Sequence, residues 1–255
     1  MNLFQSIQQA QQELANVVPA TPLTENLNLS EEFGATILLK REDLQVVRSY
    51  KIRGAYNKIK SLTESEKTNG IVCASAGNHA QGVAYSCHLL QIQGKIYMPK
   101  TTPNQKVKQV QLFGKKWVEI VLTGDTFDDA YAKAVADAKD NQKAFIHPFD
   151  DEKVIAGQGT VGLEIVEQYQ QPIDYVFVPI GGGGLASGLS TVFKHLSPNT
   201  KIIGVEPQGA PSMKTSIANQ ANTLLDTIDK FVDGAAVKQV GNQTFAICQK
   251  NLDDI

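Results

Sequence analysis

The sequence predicts an α/β protein of two lobes, each an open parallel sheet with flanking helices. Three observations carry that reading. Short apolar, β-branched runs alternate with longer amphipathic runs, the order expected of βαβ units. There are more such units than one compact sheet holds, so the 255 residues divide into a large lobe, 1–42 with 143–255, and a smaller one, 43–142. The clusters richest in Gly, Ser and Asn directly follow strand candidates, where open α/β sheets place their ligands.

Taken in order, Leu3, Ile7, Ala10 and Leu14 share one face of an opening helix that VVPATP (17–22) terminates. ATILLK (35–40) is a strand candidate, followed by the charged Arg41, Glu42 and Asp43. IVCAS (71–75), KIYMP (95–99) and WVEIVL (117–122) read as strands, with helices opening near Asn78, Asn104 and Asp125. A second series comprises AFIHPF (144–149), a helix near Thr160 to Tyr169, DYVFVPI (174–180) and KIIGVEP (201–207). Between the last two strands, Leu185, Leu189, Val192, Phe193 and Leu196 recur at helical spacing.

Composition excludes several classes. A formal charge of −2, with no Lys/Arg cluster carrying interleaved aromatics, argues against a nucleic-acid partner. The three cysteines, Cys73, Cys87 and Cys248, form no CxxC and lie in apolar stretches, as reduced structural thiols do. The N-terminus lacks a basic and then apolar leader, and no run approaches the roughly eighteen apolar residues of a membrane span. The expectation is a soluble, cytoplasmic protein without membrane contact.

Gly181, Gly182, Gly183 and Gly184 join a strand to a helix. Four glycines in a row weaken any element interior, and such a turn is kept where a guest must approach the backbone more closely than a Cβ permits. Phosphate is the commonest such guest, because N–H groups converge at a helix N-terminus on the positive end of its dipole. The alternative is a flexible loop. No GxxxxGK[ST] accompanies the run, and GGGGLASG lacks the dinucleotide GxGxxG spacing.

Two more stretches follow strands. SYKIRGA (49–55) places Lys51 at the start of a helical pattern, where the dipole, Arg48, Arg53 and partial burial favour the neutral amine of a Schiff-base lysine; the alternative is a surface lysine. SAGNHAQG (75–82) crowds Ser75, Gly77, Asn78 and His79 at a helix start, with Ser75 or Asn78 as N-cap, a setting suited to a carboxylate. His79 by itself reads as a structural histidine. A reactive lysine, a carboxylate turn and a phosphate turn together are what pyridoxal phosphate chemistry on an amino acid requires.

These motifs, with KREDLQ before them and GVEP and FVDGA after, resemble those of threonine dehydratases (threonine ammonia-lyases) of the fold type II, tryptophan synthase beta-like pyridoxal-phosphate family, from about Thr21 to the last residue. The resemblance implies that Lys51 links to the cofactor and later serves as base, with Tyr50 beside it where phenylalanine is usual. It implies that Asn78 meets the ring hydroxyl, that Ser75, Gly77, Asn78 and His79 receive the substrate carboxylate, and that Gly181 to Gly184 with Leu185 hold the phosphate. The reaction implied is β-elimination from L-threonine to 2-oxobutanoate and ammonia, as the first committed step towards isoleucine or in threonine catabolism. A serine racemase of this fold is disfavoured because Ala76 stands where such enzymes carry a second serine, and a cysteine synthase because its substrate loop differs. The alternatives are a serine dehydratase or racemase of the same fold or a truncated, catalytically impaired pyridoxal-phosphate-binding fragment, and a non-catalytic binding protein is the rival from another class. Glu206 and Ala210 stand where some relatives bind a cation, but Pro211 and Ser212 replace the acidic residues, so no metal is assigned. The family, a homo-oligomer at full length, continues past the equivalent of Ile255 with further strands and the serine that meets the pyridine nitrogen. The expectation is an incomplete large lobe with an exposed strand edge, weak cofactor binding and poor turnover.

Overall fold

The computed structural model describes residues 1–255, and its strands fall into three sheets. The chain opens with α1 (Leu3–Leu14), whose Asn2 and Gln5 form a capping box and whose Ile7, Ala10 and Leu14 are buried. Next come β1 (Leu23–Glu25), α2 (Leu27–Phe33) and β2 (Leu38–Lys40). The expected strand at 35–40 is thus three residues long, and it pairs antiparallel with β1 rather than entering a parallel sheet.

The smaller body follows: α3 (Lys51–Lys60), α4 (Glu64–Asn69), β3 (Ile71–Ala74), α5 (Asn78–Leu90), β4 (Gly94–Met98), α6 (Asn104–Gly114), β5 (Val118–Leu122), α7 (Phe127–Asp140) and β6 (Ala144–Phe145). Its sheet has the order β5-β4-β3-β6 and is parallel throughout. All four residues of β3 are buried, because Ile71 and Cys73 pack with Val83, Cys87 and Ile96 on one face while Val72 and Ala74 meet Ala130 and Ala134 of α7 on the other. The sequence division at 142 therefore falls short: β6 hydrogen-bonds to β3, and the Ile146 N–H donates to the Val72 carbonyl at 2.8 Å. AFIHPF is not a six-residue strand of the large body. Pairing stops because His147 Nδ1 accepts the Phe149 and Asp150 N–H groups at 3.3 and 2.8 Å and turns the chain, and Pro148 has no N–H to offer a ladder.

The larger body consists of α8 (Glu152–Gln168), β7 (Tyr175–Pro179), α9 (Gly184–Leu196), β8 (Lys201–Val205), α10 (Ser212–Ala218) and α11 (Asn242–Asn251), with β7 and β8 parallel. Helix α8 begins eight residues before the expected Thr160 because the Asp151 carboxylate caps the Lys153 and Val154 N–H groups. It is buried from Val154 to Ile165 and forms the central post of the molecule. Glycines let its neighbours approach: a Cβ on Gly157 would stand 2.4 Å from the Arg53 carbonyl of α3, and one on Gly188 of α9 would stand 2.6 Å from Gly159. No helix is long and apolar enough to cross a membrane.

Candidate active site

Lys51 is the first residue of α3, which is wedged between α5 and α8. Two contacts fix that wedge. A Cβ on Gly82 of α5 would lie 3.0 Å from the Lys51 carbonyl carbon, so the helix after SAGNH runs directly against the lysine's own backbone. On the other side Arg53, 1 % exposed, spans Glu42 and Glu164 with four hydrogen bonds of 2.6 to 2.9 Å and meets Thr160 Oγ1 at 3.1 Å. Lys40 joins the same cluster through Glu164 at 2.5 Å, so two cations face two carboxylates and the buried charge is balanced.

Lys51 Nζ donates to the Pro148 carbonyl at 2.8 Å and lies 5.5 Å from the Tyr50 ring centre. Loss of solvation lowers its pKa to about 8. The neighbouring arginines expected to push in the same direction do not: Arg53 is neutralised by its two glutamates and Arg48 is exposed. Burial also pushes the Tyr50 hydroxyl up to about 12, so it stays a neutral phenol.

Helix α5 begins at Asn78, with Gly77 as its N-cap residue and no side-chain cap. Ser75 and Asn78, the expected caps, do other things: Ser75 Oγ accepts the Gly77 N–H at 3.2 Å, and Asn78 is exposed. The N–H groups of Asn78, His79 and Ala80 therefore have no partner in the chain. The His79 ring turns inward, with Nε2 2.9 Å from the Ile146 carbonyl. A carbonyl only accepts, so the proton is on Nε2 and the unpartnered Nδ1 is a lone pair. Burial, then the Lys51 charge, lowers the His79 pKa to about 3. The ring is a neutral acceptor that repels a carboxylate, and only the main chain of His79 has a donor to give one.

The glycine run lies against the same 147–150 turn whose Pro148 carbonyl holds Lys51. Gly183, at φ +93°, is the N-cap of α9. The N–H groups of Gly182, Gly183, Gly184 and Leu185, all four residues buried, donate to nothing in the chain. The loop is held from behind, where the Gly182 carbonyl accepts Thr244 Oγ1 at 2.6 Å and the Gly241 N–H at 3.4 Å. In front of it runs the turn 147–150: a Cβ on Gly182 would lie 2.2 Å from the Phe149 ring, and the Asp150 carboxylate accepts the N–H groups of Asn242, Gln243 and Thr244 at the start of α11. His147, Pro148, Phe149, Asp150 and Thr244 went unrecognised in the sequence; the signal was the tandem Asp150-Asp151 after Pro148, a pair of helix caps.

Converging unpaired donors, a glycine cradle that a Cβ would fill and a lysine of lowered pKa fit a phosphorylated aldehyde. The fold and site thus define a two-bodied α/β protein of the fold type II kind, with a glycine turn of unpaired N–H groups and a buried lysine of lowered pKa. The family profile described as "Pyridoxal-phosphate dependent enzyme" matches residues 14–255, and the chain belongs to that family. It is 59 % identical over 246 residues to the L-threonine dehydratase biosynthetic IlvA of Halalkalibacterium halodurans, covering 96 % of this chain and 59 % of that protein. It is 54 % identical over 249 residues to the protein of the same name from Bacillus subtilis, covering 98 % and 59 %. The chain spans about three fifths of the length of these curated relatives. Among solved structures, the processed form of threonine deaminase isoform 2 from Solanum lycopersicum matches with a TM-score of 0.95 at 44 % identity, over 99 % of this chain and 73 % of that one. Maize serine racemase matches at 0.93 and 31 %, over 98 % and 75 %.

Proposed function

We propose that this chain is the cofactor-binding, catalytic part of an L-threonine dehydratase, converting L-threonine to 2-oxobutanoate and ammonia. The observation that carries the reading is the placement of one lysine amine of lowered pKa between two helix starts whose N–H groups are unpaired. Two anionic ends, a phosphate and a carboxylate, have separate donors, and the amine between them can reach a carbon held by both. The curated relatives named above support threonine as the substrate. Pyridoxal phosphate, when bound, supplies an aldehyde that takes up an amine and a ring that withdraws electrons from the substrate Cα.

The chain's own residues supply the rest. Gly182, Gly183, Gly184 and Leu185 hold the phosphate through main-chain N–H groups, with Gly181 at the entrance to the turn. Ser75 and the main-chain N–H groups of Asn78, His79 and Ala80 would hold the substrate carboxylate at the start of α5, with Gly77, whose own N–H is taken by Ser75 Oγ, turning the chain into that helix, and the exposed Asn78 side chain would reach the ring hydroxyl. Tyr50 packs beside the lysine. Lys51 would be the residue that links to the cofactor aldehyde and, as a free amine, the base that accepts the Cα proton on Nζ; at neutral pH a pKa near 8 leaves an appreciable neutral fraction. No group of three or more His, Cys, Asp or Glu is gathered as metal ligands, and Glu206 spends its carboxylate on the N–H groups of Met213 and Lys214 at 2.8 and 2.9 Å.

Purified chain titrated with pyridoxal 5′-phosphate should develop a visible absorbance band that borohydride removes, leaving a reduced adduct on the Lys51 peptide by mass spectrometry. L-threonine added to that species should release 2-oxobutanoate, and L-serine should release pyruvate more slowly. An adduct on any other lysine, or serine turning over faster than threonine, would sink the assignment.

A further inference from the structure

Gln158 is 0 % exposed in the middle of α8, and its carboxamide is not spent on packing the helix. Oε1 has no hydrogen-bond partner, and it points at the first residue of α9: a Cβ on Gly184 would stand 2.5 Å from it. Nε2 lies 3.5 Å from the Pro148 carbonyl, at the outer limit of a hydrogen bond. That carbonyl is the one Lys51 Nζ occupies at 2.8 Å, and no main-chain N–H donates to it. One acceptor therefore has a close donor and a distant one in waiting, and the distant one can be re-aimed without breaking any bond its oxygen makes.

The chemistry proposed for Lys51 disturbs that acceptor. When the neutral amine adds to an aldehyde carbon, a carbon–nitrogen double bond forms, the carbon–oxygen bond breaks, and water leaves with the aldehyde oxygen and two hydrogens from the nitrogen. The nitrogen then keeps one hydrogen at most, if it is protonated afresh, and its place beside Pro148 is no longer assured. A partly buried carbonyl without a donor costs free energy unless another donor closes in. Gln158 Nε2 has to move only about half an ångström to reach normal hydrogen-bond length.

We propose that Gln158 is a positioning residue: it takes over the Pro148 carbonyl when Lys51 is drawn off to the cofactor aldehyde, and thereby sets how tightly the aldehyde form is held. The inference rests on Lys51 as the linking lysine. It predicts a dependence that a residue needed only for packing would not produce. Pyridoxal 5′-phosphate uses up the Lys51 donor, whereas pyridoxamine 5′-phosphate, which cannot link to the lysine, leaves the Lys51–Pro148 hydrogen bond intact.

The test compares the affinities of the two compounds for the full chain and for Gln158→Met, which keeps length and removes the donor. Absorbance titration reads the first and intrinsic fluorescence the second. Gln158→Met should weaken pyridoxal 5′-phosphate about tenfold, the scale of one unsatisfied polar group, and change pyridoxamine 5′-phosphate by less than about twofold. Equal losses for both compounds would make Gln158 a packing residue and overturn the proposal, as would no loss for either. Should Gln158→Met fail to fold by circular dichroism, Gln158→Asn, whose amide is too short to reach Pro148, carries the same comparison. A parent chain that forms no borohydride-reducible adduct on Lys51 would defeat the underlying reading. A parent adduct with unchanged variant affinities would defeat this inference alone.

Discussion

At the scale of single residues, Lys51 ties the site to the stability of the fold. Its pKa is lowered to about 8 from the ordinary 10.5, so between those values the unfolded chain carries a proton that the folded chain does not. Below pH 8 both states are protonated and the folded state bears the whole cost of the shift; as pH rises from 8 towards 10.5 that cost disappears. Lys51→Met removes the titration. The melting temperature of Lys51→Met minus that of the parent, measured by calorimetry without cofactor, should therefore be largest at pH 7 and should fall as pH is raised to 10.5. A difference that stayed flat or grew with pH would mean that Lys51 does not titrate near 8. The direction of this shift and one of its expected causes, burial, were legible in the sequence; that the neighbouring arginines take no part was not. Arg48 and Arg53 flank the lysine in sequence, yet Arg53 is consumed by Glu42 and Glu164, the latter 111 residues away along the chain, and no local pattern reveals that.

At the scale of elements, glycines with the same apparent purpose in the sequence have different jobs in the structure. Gly77 and Gly183 both stand as N-cap residues ahead of a helix whose first N–H groups are free. Around Gly77 a Cβ would meet nothing within 4 Å, and its φ of −130° suits any residue. Gly183 has φ +93°, and a Cβ there would lie 2.8 Å from Met213 Cε and 2.9 Å from Thr244 Cβ. Gly77→Ala should leave the unfolding free energy of the cofactor-free chain, read from its urea transition, unchanged to within about 0.5 kcal/mol. Gly183→Ala should cost about 1–2 kcal/mol for the backbone conformation alone, with repacking added. Equal midpoints for the two variants would show the turn at 181–184 to be freely adjustable. In the sequence all four glycines read as room for a phosphate. Gly182 and Gly184 are also required by the chain itself, to admit the Phe149 ring and the Gln158 carboxamide, so their replacement disturbs the cofactor-free fold as well as the cofactor's place. That second demand was illegible because it depends on the turn at 147–150, which the apolar residues at both ends of AFIHPF disguised as a strand.

At the scale of the whole molecule, the two parallel sheets are covered unequally. The four-stranded sheet has helices on both faces, and the long β-branched runs that build it could be read directly from the sequence. The β7–β8 pair was equally legible as strands, but its register gives no hint of how its outer face is treated. Val178 and Ile202 point into the core shared with α9, while Tyr175 and Phe177, two residues apart and so on one face, are 59 % and 68 % exposed with ring centres 6.2 Å apart. Their strand β7 also has one edge without a hydrogen-bonding neighbour. An apolar face beside an open edge favours pairing between chains, and charges on that face oppose it. Because neither ring supports the core, replacing both should leave the fold alone. If the parent associates at high protein concentration, the double variant Tyr175→Lys with Phe177→Lys is therefore expected to remain monodisperse there by light scattering, with an unfolding free energy within about 0.5 kcal/mol of the parent. If the variant associated as the parent does, some surface other than β7 would have to drive the contact; if it lost several kcal/mol, the two rings would be packing against the body of the protein in solution.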